Sequence, residues 1–135
     1  MTYLSGEEIL IIHAQIIDET GGAHGVRDTG LFSSIVHKPK AAFSGKEMYP
    51  TVFDKAATYL EALAKFHVFV DGNKRTAVVV ASRFLFLSGY DITASNDELE
   101  DFALRVVERK LDVPAIAVWL KRHAKKLSTR KGKRN

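Results

Sequence analysis

Apolar residues along this chain recur at helical spacing in several stretches and almost never alternate as a half-buried strand would. Ile9, Ile12, Ile16 and Ile17 mark a first helix, opened by Ser5 with Glu8 three positions on and stopped at Gly21-Gly22. Asp28 can cap a short second helix with Leu31, Phe32, Ile35 and Val36 on its apolar face and Pro39 at its end. Thr51 with Asp54 starts a third, whose apolar residues run from Val52 to Phe66. The segment NKRTAVVVASRFLFLS is apolar almost all round, so it is expected at the centre of a bundle, with Gly89 as its stop. Ser95 with Glu98, and Asp112 or Val113 before Pro114, open two more helices carrying Leu99 to Val107 and Ile116 to Leu120. The pattern predicts an all-α fold, a compact bundle of about six helices around a central buried helix.

One stretch breaks this rule. Residues 40 to 50, KAAFSGKEMYP, have no sustained period yet contain Phe43, Met48 and Tyr49, much apolar surface for a connector. A short hairpin acting as a flap is the expectation there.

Composition narrows the function classes. A chain of 135 residues with 46% hydrophobic content suits one domain with a real core. No apolar run approaches the ~20 residues of a membrane span, and MTYLSGEEIL does not read as a secretory signal, so a cytoplasmic protein is expected. The absence of cysteine leaves only oxygen or imidazole ligands for any metal. The net charge of +4 comes from the end of the chain. Residues 125 to 135 hold six Lys or Arg, leaving 14 basic and 16 acidic groups upstream. A mildly acidic body argues against direct nucleic-acid binding, and residues 128–135 read as a disordered basic tail after a domain spanning 1–127.

The chemistry concentrates in HVFVDGNKRTA, residues 67 to 77. If a helix begins near Asn73, then Gly72, Asn73, Lys74 and Arg75 form a first turn whose unpaired N–H groups favour an anion. Lys74 and Arg75 add charge, and Arg75 offers the forked geometry that suits phosphate. Asp71 beside such an anion calls for a bridging divalent cation, Mg²⁺ in the first instance. His67 is the one nearby group able to accept a proton near neutral pH. Taken singly, each has an ordinary alternative: a capping histidine, an Asp-Gly turn, solvated first-turn cations. Phe69 reads as a core anchor, and His13, His24, His37 and His123 as structural residues.

The string H-V-F-V-D-G-N-K-R-T resembles the HxFx(D/E)GN(G/K)R signature of the Fic/Doc superfamily, and its lysine form resembles the Doc, or death-on-curing, toxin branch. GVRDTGLFSSIVHKP at 25 to 39 is similar to the segment upstream of that signature. The resemblance implies His67 as general base for a protein hydroxyl and Asp71 as the acid that holds Mg²⁺ or orients the histidine. It implies Gly72, Asn73 and Lys74 as an anion cradle, Arg75 as the grip on ATP phosphates, and Phe43 and Tyr49 on a flap that docks the target. Relatives that transfer AMP usually carry Gly where Lys74 stands and a second Arg where Val78 stands. In the Doc branch ATP is understood to bind reversed, presenting its γ-phosphate, so that the protein acts as a kinase on a threonine of elongation factor Tu. An AMP transferase, or a non-catalytic binding or corepressor module, are the competing readings. The inhibitory pattern (S/T)xxxE(G/N) is missing from the sequence, so restraint is expected from an antitoxin of the prevent-host-death type or an equivalent.

Overall fold

The computed structural model describes residues 1–128, so the basic tail beyond Ser128 lies outside the described residues. Its six helices are α1 (Gly6–Thr20), α2 (Thr29–His37), α3 (Val52–Lys65), α4 (Asn73–Leu87), α5 (Asn96–Glu108) and α6 (Val113–Arg122). The all-α bundle is therefore as the pattern predicts. Two small antiparallel pairs complete it: β1 (Ala42–Phe43) with β2 (Lys46–Glu47), and β3 (Tyr90–Ile92) with β4 (Ala124–Lys126). The first is the expected hairpin. Its turn residues Ser44 and Gly45 both have positive φ, 51° and 78°, the conformation that matches strand twist in a two-residue hairpin.

Helix starts follow local chemistry. Ser5 with Glu8, Thr51 with Asp54 and Ser95 with Glu98 each form a reciprocal capping box, while Asp28 and Asp112 cap α2 and α6. Only α4 begins without a side-chain cap; its N-cap is Gly72 in the left-handed region, φ 77°.

The centre of the bundle differs from the expectation drawn from the sequence. It is α3 that is most enclosed, with ten of its 14 residues buried, against seven of 15 in α4. Val79 and Phe86 of α4 stay 39% and 48% exposed, giving that apolar helix a solvent face. The sequence misleads because α3 carries polar residues that are nevertheless buried, Lys55 and Thr58 at 1% exposure each. Lys55 Nζ donates to Pro39 O at 3.0 Å and to Glu47 Oε1 at 2.8 Å, so its charge is matched and the hairpin is tied to the core. Burial pulls the Lys55 pKa down, but the bonds to Glu47 and Tyr3 outweigh it and leave the pKa raised. Tyr59 accepts from Leu4 N at 3.3 Å in the same core, and burial pushes its phenol up to about 12.

The β3–β4 pair, absent from the pattern-based reading, places Ile92 opposite Ala124. No helix among the described residues is long and apolar enough to cross a membrane.

Candidate active site

Between the end of α3 and the start of α4 the chain makes a tight loop in which outward and inward residues have separate duties. His67 is exposed and holds φ 50°, a conformation uncommon for a residue with a Cβ. Val68 and Phe69 follow, both 0% exposed. Phe69 N donates to Asn73 Oδ1 at 2.9 Å and Asn73 Nδ2 donates to Phe69 O at 3.0 Å, which closes the loop onto the first turn of α4. The Asn73 side chain is thus committed to the backbone. Of the expected cradle, Asn73 can offer an anion only its N–H.

Two further elements hold the loop. His13 on α1 is buried, stacks on Phe69 with ring centroids 3.8 Å apart, and hydrogen-bonds Asp71 O through Nε2 at 2.7 Å. Segment 25–28 runs alongside, with Arg27 N donating to Val68 O at 2.7 Å and Val70 N donating to Gly25 O at 3.1 Å. Gly72 is needed where it stands: a Cβ there would meet Ile17 Cδ1 at 3.0 Å, besides the strained φ.

His67, Asp71, Gly72, Asn73, Lys74 and Arg75 all line one cleft of about 650 Å³, a size suited to a nucleotide. The N–H groups of Asn73, Lys74 and Arg75 have no intrahelical acceptor, and no side chain caps them. Lys74 is exposed, and the His67 imidazole has no hydrogen-bond partner among the described residues. A base, a carboxylate and an anion-favouring helix start therefore share one opening.

The opposite wall comes from α5, through Glu100, Asp101 and Leu104. Arg75 Nη2 donates to Glu100 Oε1 at 3.0 Å across it, both side chains being part-exposed. Glu100 offsets the unfavourable placement of Lys74 and Arg75 at the positive end of α4. An exposed pair of this kind is weak, so an incoming phosphate can compete for Arg75 at small cost.

For a divalent cation the fit is of a particular kind. Asp71 Oδ2 accepts from Ala23 N at 2.7 Å, and its other carboxylate oxygen has no partner among the described residues. No group of three or more His, Cys, Asp or Glu side chains converges as a metal cage among the described residues. One free carboxylate oxygen, with phosphate and water oxygens completing the shell, is how Mg²⁺ commonly accompanies nucleotides.

Val78 lies on the buried face of α4, 4% exposed, and cannot hold a phosphate. The hairpin residues do not reach the cleft: Phe43 projects into solvent, 77% exposed, and Tyr49 is half-buried. Glu100 and Asp101 escaped the sequence reading altogether, and Arg27 entered it only within the 25 to 39 segment, with no role of its own. Nothing in their local pattern marks them, because each meets the loop or the cleft only through tertiary packing.

A sequence profile of the Fic/DOC family matches residues 3–85, which take in α1 to α3, the loop and all but the last two residues of α4. The chain is 39% identical over 120 residues to "Toxin Doc" of Mycolicibacterium smegmatis, covering 87% of this chain and 90% of that protein. It is 34% identical over 122 residues to "Protein kinase doc" of Escherichia phage P1, covering 90% of this chain and 95% of the other.

Proposed function

The chain belongs to the Fic/DOC family, and from that premise we propose that it is a Doc-type toxin that transfers the γ-phosphate of ATP to a protein hydroxyl. The observation that carries the proposal is the exposed, unpartnered His67 in one cleft with Asp71 and the uncapped first turn of α4. The relatives' names, a toxin and a protein kinase, support the same reading.

In the proposed reaction His67 takes the proton of the acceptor hydroxyl as its oxygen bonds to the γ-phosphorus. The bond from that phosphorus to the bridging oxygen breaks, and ADP leaves. Lys74, Arg75 and the N–H groups at the start of α4 hold the phosphates and balance their charge. Asp71 would hold Mg²⁺, which supplies neutralisation of charge on the phosphate oxygens. Lys74 in place of a small residue, and Val78 in place of a cation, favour γ-phosphate transfer over AMP transfer. On the family resemblance the acceptor is a threonine of elongation factor Tu, so translation in the cytoplasm is the process halted, and an antitoxin of prevent-host-death type is the partner that restrains it.

Incubation with a bacterial lysate and ATP labelled at either the α or the γ phosphate tests the proposal. Only γ-label should reach a protein, and His67→Ala should abolish both the label and growth arrest on expression. Transfer of α-label would establish AMP transfer instead. Growth arrest without any label, unaffected by His67→Ala, would favour a non-catalytic module.

A further inference from the structure

One side chain reaches the backbone of His67 from far along the chain. Arg27 Nε donates to His67 O at 2.9 Å. The neighbouring backbone reinforces that contact, with Arg27 N and Asp28 N both directed at Val68 O, at 2.7 and 3.4 Å, and Val26 bridged to Phe69. Segment 25–28 therefore lies as a strap along residues 67 to 70.

The strap matters because of what His67 is doing. A left-handed φ of 50° is strained for a residue with a Cβ, and rotation about the N–Cα bond of His67 would relieve the strain. With the end of α3 fixed, that rotation would carry His67 O away from Arg27 and change the direction in which the imidazole leaves the backbone. The Arg27 bond grips the atom that would have to move. Arg27 is exposed, and among the described residues its side chain makes no ion pair and no hydrogen bond other than that to His67 O.

We propose that Arg27 is a positioning residue for the reaction: through Nε it holds His67 in the left-handed conformation that aims its imidazole into the cleft. The proposal rests on the reading of His67 as the general base. It requires a donor at the Nε position and does not require the positive charge. Glutamine is therefore the informative replacement, since its amide nitrogen is joined at Cδ as Nε is in arginine, whereas methionine has similar reach and no donor.

The test compares full-length wild type, Arg27→Gln, Arg27→Met and His67→Ala. The readouts are the turnover of γ-label from ATP onto lysate protein, the apparent KM for ATP, and crystal structures of the two Arg27 variants. Arg27→Met should lower kcat between about 10- and 100-fold, the scale of a misplaced catalytic group, with KM for ATP within about twofold of wild type. Arg27→Gln should recover most of the loss. In the Arg27→Met structure His67 should leave the left-handed region, and in Arg27→Gln it should keep it. Wild-type turnover in Arg27→Met, or equal loss in Gln and Met, overturns the positioning role while leaving the base reading intact if His67→Ala is inactive. If wild type transfers no label, the base reading fails, and an unchanged His67 backbone in Arg27→Met overturns the positioning role independently of any chemistry.

Discussion

Gly72 and Gly45 offer a matched experiment on where a nucleotide approaches the backbone. Their φ values are 77° and 78°, yet an added Cβ would meet Ile17 Cδ1 at 3.0 Å at Gly72 and nothing within 4 Å at Gly45. Alanine at either site incurs about 1–2 kcal/mol of left-handed strain, partly offset by roughly 0.4–1 kcal/mol from a less flexible unfolded chain. Gly45→Ala should therefore cost about 1 kcal/mol. Gly72→Ala adds crowding against Ile17, itself 3% exposed and unable to move freely, for about 1–3 kcal/mol more. At about 4 °C per kcal/mol for a domain of this size, the expected falls in Tm are about 4 °C and about 8–16 °C. Calorimetric titration with ATP and Mg²⁺, at a temperature where both variants are folded, then separates stability from binding. Gly72→Ala should weaken ATP binding about tenfold, because it displaces the first turn of α4 from the phosphates, and Gly45→Ala should not. If Gly72→Ala bound ATP like wild type, the start of α4 would not be the phosphate cradle.

Replacing Phe43 and Tyr49 with Ser should reduce labelling of the protein target while leaving ATP affinity unchanged, because neither side chain lines the cleft; a parallel loss of ATP binding would assign them a structural role. Lys55→Met should cost about 1–3 kcal/mol in denaturant unfolding, mainly through the buried Pro39 carbonyl left without its donor. Because the folded pKa of Lys55 is raised above 10.5, the charge-dependent part of its contribution is complete below that pH and is lost as pH rises through the folded value, so the gap between wild type and variant should narrow in strong alkali. Glu98 behaves oppositely. Its pKa is lowered from 4.5 by the hydrogen bond from Ser95 N, so its contribution is present above that pH and lost as pH falls through the folded value. Melting curves of wild type and Glu98→Gln should accordingly differ near neutrality and merge in acid.

What could be read in the sequence was local. A capping box involves residues three apart, and the four side chains His67, Asp71, Lys74 and Arg75 fall within nine consecutive positions, so both were legible without a fold. The misses share a different property. Glu100 meets Arg75 across 25 positions and Arg27 meets His67 O across 40, while His13, read as a structural residue, owes that place to Asp71 O, 58 positions away. No periodicity encodes such pairings. The burial of α3 was hidden for a related reason, since Lys55 looks like a solvent-facing residue until Glu47 and Pro39 O are seen to meet it. Asn73 divides its parts: its side chain closes the loop that presents the others, which leaves its N–H for the expected anion cradle.

The strain at His67 follows from the same division of labour. Val68 and Phe69 are both fully buried, so residues 67 to 69 cannot alternate in and out as an extended chain would. To keep His67 and Asp71 outward on either side of that pair, the chain has to reverse direction as it leaves α3, and the positive φ at 67 supplies the reversal. On the proposed role of His67, the residue identity there would serve chemistry at the expense of local stability. This can be separated from the chemistry by comparing two variants that both lack the imidazole, His67→Gly and His67→Ala. Glycine normally destabilises relative to alanine, but at φ 50° the left-handed cost of about 1–2 kcal/mol falls on alanine and exceeds the roughly 0.4–1 kcal/mol of extra unfolded-state freedom in glycine. His67→Gly should thus be the more stable by about 0.5–1 kcal/mol in thermal or urea unfolding. An alanine variant more stable than the glycine variant would mean that the backbone at 67 relaxes once the imidazole is removed, and that the imidazole itself, not the strap and the buried pair, imposes the turn.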